Sequence, residues 1–145
     1  MALALRLTYT VLPRLAVHRF SRAADSVEDA ALIGQLAAVL ASNLPLTSLS
    51  LSADEISLVV SEDALLPVAA TSTEAGWTTF KVEGPLDFAL TGILSSLTAP
   101  LAAAAIPVFA VSTYDTDYIL VKFDKAQGAI DAWRTSGIAS VTTSS

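Results

Sequence analysis

The chain has 145 residues, of which 53% are hydrophobic and 15% charged, and its formal net charge is −6. That is ample apolar material for one ordinary domain or two small fused modules, and it excludes disorder as the native state. Only eight Lys and Arg stand against fourteen acids, which makes nucleic acid a poor partner, because phosphates need clustered cations. With no cysteine and a single histidine, His18, there is no disulfide, no thiolate nucleophile and no Cys or multi-His metal site.

No apolar run reaches the roughly 18 residues that a membrane helix needs. The longest candidates are broken by Thr91, Gly92, Ser95, Ser96 and Pro100. Arg6, Arg14, Arg19 and Arg22 all precede the first acid, Asp25, as they would in a transit peptide. Against that, Leu3, Leu5, Leu7, Tyr9 and Val11 alternate with Ala4, Arg6, Thr8 and Thr10, which is the period of a folded strand. The expected first strand spans Leu3–Leu12. Pro13 should interrupt it, and Leu15–Phe20 should form a second, with His18 at a polar strand position.

Ser26 reads as an N-cap, with Glu28 and Asp29 in the first turn of a helix that carries Ile33, Leu36, Ala37 and Leu40. Pro45 lies beyond its end. Leu46–Leu51 and Ile56–Ser61 read as a hairpin around Ser52-Ala53-Asp54-Glu55. Ser61–Ser72, with Pro67 and mixed small residues, is the expected junction of two halves, giving domains 1–72 and 73–145.

The second half is more regular. Trp77–Val82 alternates as a strand. Pro85 suits the first turn of a helix, where its missing N–H costs nothing. Leu86, Leu90, Ile93, Leu94, Leu97 and Leu101 form one apolar stripe, and Pro100 should kink the last turns. Pro107–Val111 and Tyr118–Phe123 read as strands joined by Ser112–Asp117. Asp124 with Gln127 reads as a capping box opening a last helix. Ala126, Ala129, Ile130 and Trp133 form that helix's buried face, and Gly137 ends it. An edge strand over Ile138–Val141 and a frayed Thr142–Ser145 complete the chain. The second half thus reads βαββαβ, a ferredoxin-like order. The first half reads ββαββ.

Two stretches carry candidate chemistry. At Glu83-Gly84-Pro85-Leu86-Asp87, Gly84 allows a ligand to approach the backbone. The free amides of the following helix can hold a carboxylate. Asp87 either caps that helix or, with Glu83, faces a ligand ammonium. Ser112-Thr113-Tyr114-Asp115-Thr116-Asp117-Tyr118 is rich in hydroxyls and carboxylates. It reads either as a polar hairpin or as a loop that receives an ammonium. Asp115 and Asp117 alone do not supply the six or more oxygens that calcium requires. No Gly-x-Ser-x-Gly elbow, P-loop or dinucleotide-binding fingerprint is present. A small hydrolase would rest only on scattered Ser and Asp, with Asp54 and Glu55 on opposite strand faces.

Lys81–Phe88 (Lys-Val-Glu-Gly-Pro-Leu-Asp-Phe) and Val111–Tyr118 (Val-Ser-Thr-Tyr-Asp-Thr-Asp-Tyr) resemble the ACT-type amino-acid-binding modules of small tandem-ACT proteins. Some of these are aspartate-kinase-like, and the arginine sensors of the animal TOR pathway are more distantly similar. Asp54-Glu55 also matches a hairpin of those proteins. The likeness is dense over Glu74–Trp133 and weak over Met1–Leu51. It implies an α+β fold of two ferredoxin-like (βαββαβ) modules, the first incomplete, packed as a sandwich. It implies a non-catalytic sensor or regulatory protein without a cofactor. Its ligand would be a small amino acid or related metabolite, held by Gly84, Leu86, Asp87, Thr113, Tyr114 and Asp117, with Ser57 or Ser61 closing the site. A homo-oligomer, a regulated protein partner and a cytoplasmic location accompany that reading. In the arginine sensors a ligand-facing acid stands where this chain has Leu90, which favours a smaller or apolar amino acid. The alternative is a structural interaction module that binds no metabolite.

Overall fold

The computed structural model describes residues 5–23, 25–41, 45–84 and 91–144. The chain divides into two compact units. One is the continuous stretch Pro13–Gly76, and the other joins Met1–Leu12 to Trp77–Ser145. The first strand, β1, runs unbroken over Leu5–Ser21, where Pro13 was expected to split it. Pro13 lies between two of its ladders. Leu5–Thr10 pairs with β7 and Leu15–Ser21 with β3, so the missing N–H removes no rung from either.

In the continuous unit, α1 (Ser26–Leu40), β2 (Ser48–Leu51) and β3 (Glu55–Ser61) follow β1. Both β1 and β2 run antiparallel to β3, with Leu15 opposite Ser61 and Ser48 opposite Val59. Phe20, Leu36, Ile56, Leu58 and Val60 form the core beneath α1. The cap of α1 is Asp25, one residue before the expected Ser26. Its extended backbone (φ −100°, ψ 125°) aims the carboxylate at the Val27 amide, 2.8 Å away. Asp29 is buried, yet it accepts from the Ala23 amide at 2.8 Å and from Arg22 Nε at 2.6 Å. A buried carboxylate needs such partners. His18 is also buried, with Nδ1 2.8 Å from Thr73 Oγ1.

The second unit contains the Trp77–Val82 part of β4 (Ser72–Val82), then α2 (Ile93–Ala103), β5 (Phe109–Ser112), β6 (Asp117–Lys122), α3 (Ala126–Ser136) and β7 (Ala139–Ser144). This is the βαββαβ order read from the sequence. Strand β6 lies antiparallel between β4 and β5. On its other side β4 neighbours β1, and β7 joins parallel to β1. The N-terminal strand is therefore a structural member of this unit.

The core of this unit is built on Phe80. Tyr9 stacks on it at 4.4 Å between ring centroids, and Trp133 meets it edge-on at 4.9 Å. Trp133 is fully buried, and its Nε1 donates to the Leu97 carbonyl at 2.8 Å, tying α3 to α2. Ile93, Leu97 and Leu101 are the buried positions of α2, three of the six expected stripe residues. Leu86 and Leu90 lie outside the described residues, and Leu94 is 36% exposed.

Two further details depart from expectation. The Asp124–Gln127 capping box does not form. Phe123–Lys125 is a 3-10 turn that runs into α3, so Asp124 sits inside a turn, and the Gln127 amide instead donates to Asp131 at 3.0 Å. The expected frayed stretch Thr142–Ser145 is a paired strand as far as Ser144, and Ser145 lies outside the described residues. Thr142, Thr143 and Ser144 are strand residues paired with Thr8, Tyr9 and Thr10.

Candidate functional site

The ends of β4 and β6 bring the two candidate stretches together. The ladder ends with Lys81 opposite Tyr118. Thr116 is buried, and its hydroxyl donates to the Val82 carbonyl at 2.6 Å. That bond ties the Ser112–Asp117 hairpin to the strand end that carries Gly84. The hairpin closes on itself through the Thr113 amide to the Thr116 carbonyl at 2.8 Å, with Thr113 Oγ1 donating to the same oxygen at 3.1 Å. Asp117 accepts from the Ser112 hydroxyl at 2.6 Å. Tyr114 projects from the tip, 79% exposed.

Gly84, Thr113, Tyr114 and Asp117 thus stand at one end of this unit's sheet. Leu86 and Asp87 lie outside the described residues. Ser57 and Ser61 belong to β3 of the continuous unit. Ser57 is half-buried opposite Arg19 and Ser50, whereas Ser61 is buried and its Oγ accepts from the Asp63 amide at 3.3 Å.

A polar cleft of about 440 Å³ adjoins Gly84. Arg6, Leu7 and Thr8 of β1, Glu83 and Gly84 at the end of β4, and Thr142 of β7 line it. The Glu83 amide donates to the Arg6 carbonyl at 2.8 Å, and the Thr8 hydroxyl donates to the Glu83 carboxylate. Thr8 faces Thr142 across the parallel ladder. Period-two alternation puts Arg6 and Thr8 on the sheet face opposite the buried Leu7 and Tyr9. Asp117 has the parity of the core residues Ile119 and Val121, so it belongs to the helix-bearing face.

Sequence reading missed Arg6, Thr8 and Thr142 as site residues. The one available signal was that β1 places polar residues on the face left free by its leucines. The chain offers no cue that the N-terminal strand stands beside Gly84.

This end of the sheet carries hydroxyls and a carboxylate on the helix-bearing face, and Arg6, Glu83 and threonine hydroxyls on the other, groups that suit recognition of small polar molecules. Among the described residues no group of three or more His, Asp or Glu is placed to hold a metal ion. The only histidine, His18, lies in the other unit. None of the helices searched is long and apolar enough to cross a membrane.

Residues 72–134 match the family model described as ACT domain. Among solved structures, protein Atu0741 of Agrobacterium tumefaciens is 25% identical, with a TM-score of 0.76 over 99% of this chain and 96% of that one. The regulatory subunit of aspartate kinase from Thermus thermophilus, in its ligand-free form, is 9% identical. Its TM-score is 0.66, covering 93% of this chain and 98% of that one. Aspartate kinase from Clostridium acetobutylicum is 12% identical with a TM-score of 0.63, and this chain spans 33% of its length. The two aspartate-kinase matches bear on fold. The segment that matches the ACT-domain model is of mixed α/β build with antiparallel strand pairs.

Proposed function

We propose that this protein is a non-catalytic regulatory module that binds a small amino acid or a closely related metabolite at the Gly84 turn. The observation that carries the reading is the buried Thr116–Val82 hydrogen bond inside the ACT-matched segment. It sets a hairpin rich in hydroxyls and carboxylates beside a glycine turn. In this reading the amides after Gly84 hold the ligand carboxylate, Leu86 borders the ligand, and Asp117 and Asp87 face its ammonium. Thr113 and Tyr114 border the ligand, and Ser57 or Ser61 closes the site. The fold shared with the aspartate-kinase regulatory subunit of Thermus thermophilus supports a regulatory role. Two ACT-type modules, 1–72 and 73–145, packed as a sandwich, a homo-oligomer, a regulated protein partner and a cytoplasmic location belong to the same proposal. So does the distant likeness to the TOR-pathway arginine sensors, with Leu90 arguing against arginine itself.

Thermal unfolding in the presence of each standard amino acid tests the reading. A ligand at 100 times its dissociation constant raises stability by about 2.7 kcal/mol. One or a few amino acids should raise the midpoint, and no response to any of them contradicts the proposal. The second reading, an interaction module without a metabolite, is favoured by one observation. Pro100, Ala103, Ala104 and Ala132 line an apolar groove between α2 and α3, a surface suited to another protein. Sedimentation showing self-association together with no amino-acid response would favour that reading instead.

A further inference from the structure

The continuous unit makes a strand-to-helix step of its own, from the end of β1 at Ser21 to the start of α1 at Ser26. A carboxylate already stands in this turn. Asp29 lies in the first turn of α1 and reaches back, and each of its oxygens has its own donor. The Ala23 amide donates to Oδ1 at 2.8 Å, and Arg22 Nε donates to Oδ2 at 2.6 Å. The Asp29 side chain is 8% exposed, so these two donors take the place of water. The Ala23 amide first, and Arg22 next, hold its carboxyl below the ordinary value of 3.8.

The guanidinium is positioned without Asp29. Its Nη1 donates to the Ser52 carbonyl. Ser52 is itself fixed in the β2–β3 hairpin. Its amide donates to the Glu55 carbonyl at 3.0 Å, and its hydroxyl oxygen accepts the Asp54 and Glu55 amides at 3.2 Å. Capping the helix is not the task of Asp29 either, because Asp25 accepts the Val27 amide at 2.8 Å. The Asp29 amide bonds the Asp25 carbonyl at 3.0 Å in the ordinary helical way. An acid in a first turn serves the helix dipole while exposed to water. Burying it adds a desolvation cost that only a matched set of donors offsets. A main-chain amide beside a guanidinium, just ahead of a helix, is a donor set that captures a carboxylate.

We infer that Asp29 is a built-in ligand, whose carboxylate fills a cradle formed by the Ala23 amide and the Arg22 guanidinium and shuts the turn before α1 to carboxylates from solution. The inference rests on the Arg22–Asp29 geometry alone. Joined to the proposed function, it means that the amino acid enters at the Gly84 turn and not at this one.

The test uses the full chain and sodium formate, with sodium chloride at equal ionic strength as the reference. Asp29→Ala removes one carboxylate and leaves both donors, so the emptied cradle should take formate. Formate should raise the unfolding midpoint of the variant above its value in chloride and shift its Ala23 amide and Arg22 Nε–H resonances. In the parent the same two resonances should stay in place. Adding Arg22→Gln to Asp29→Ala should weaken formate binding by about tenfold or more. A purely structural ion pair would lose stability in Asp29→Ala just the same, but formate would restore none of it. If Asp29→Ala does not fold in chloride, refolding in formate replaces the midpoint. Folded protein recovered in formate alone supports the cradle, and recovery in neither salt overturns it. Formate no better than chloride, a formate response that survives Arg22→Gln, or movement of the parent's Ala23 amide in formate would also overturn it. Formate rescue with no amino-acid response in the parent would leave the cradle standing and sink the proposed function, and the reverse result would do the opposite.

Discussion

The hydroxyl of Thr116 lies 2.6 Å from the carbonyl oxygen of Val82 in a buried hydrogen bond. It couples a loop to the strand end it serves, so stability and ligand binding should respond together. Thr116→Val keeps the shape and removes the donor. Stability should fall by about 1–3 kcal/mol, the cost of a buried polar group left unpaired. Thr116→Ser, which retains the donor, should lose less. Urea unfolding of the three proteins gives the comparison, and equal stability of parent and Thr116→Val would remove the coupling.

Ala105 is a non-glycine residue in the left-handed region, at φ 58°. It follows α2, where the Ala105 amide bonds the Ala102 carbonyl and the Ile106 amide bonds the Leu101 carbonyl. Helix ends of this shape prefer glycine, since an L side chain pays about 1–2 kcal/mol there. Glycine's greater freedom in the unfolded chain offsets about 0.5–1 kcal/mol of that. Ala105→Gly should therefore stabilise the protein by roughly 0.5–1 kcal/mol, measured by the same denaturation. A loss of stability would contradict the strain.

Trp133 joins three elements by burial, by its ring contact with Phe80 and by its indole bond to Leu97. Trp133→Ala should cost about 3–5 kcal/mol. Trp133→Phe keeps a ring and loses the donor, so it should cost less but still expose the Leu97 carbonyl to a missing partner. A Trp133→Ala protein within 1 kcal/mol of the parent, about the size of one methylene, would show that this core relaxes freely.

Burial holds His18 below its ordinary pKa of 6.5. The unfolded chain therefore takes up a proton more readily than the folded one. The stabilisation is complete above the unfolded value and is lost as pH falls through it toward the lower folded value. Asp29, held low first by the Ala23 amide and then by Arg22, adds a separate loss only below its ordinary value of 3.8. Denaturation midpoints should fall from about pH 7.5 to about pH 5.5, and His18→Gln should flatten that slope. An identical slope in both proteins would assign it to other groups.

The local signals in this chain were legible where one element sufficed to explain them. Ile93, Leu97 and Leu101 at helical spacing, Ala126 to Trp133 as a buried face, and Gly137 as a left-handed stop are all found. Failures came where a neighbour decided the outcome. Pro13 reads as a breaker until the ladders on either side of it are known. The Thr142–Ser144 residues read as a tail because their partner is β1, more than a hundred positions earlier. The same distance hid Arg6. A strand that reads only as alternating and basic becomes one wall of a polar cleft because the fold carries it to β4.

The most direct test of the account is calorimetric titration of the amino acid that most raises the unfolding midpoint, into the parent and into Asp117→Asn. The hydroxyl of Ser112 already holds the Asp117 carboxylate at 2.6 Å, so the substitution keeps the hairpin and removes only the charge. The account predicts that binding to Asp117→Asn weakens by roughly 1.5–3 kcal/mol, the range for hydrogen bonds to charged groups. Equal affinity in the two proteins would contradict it.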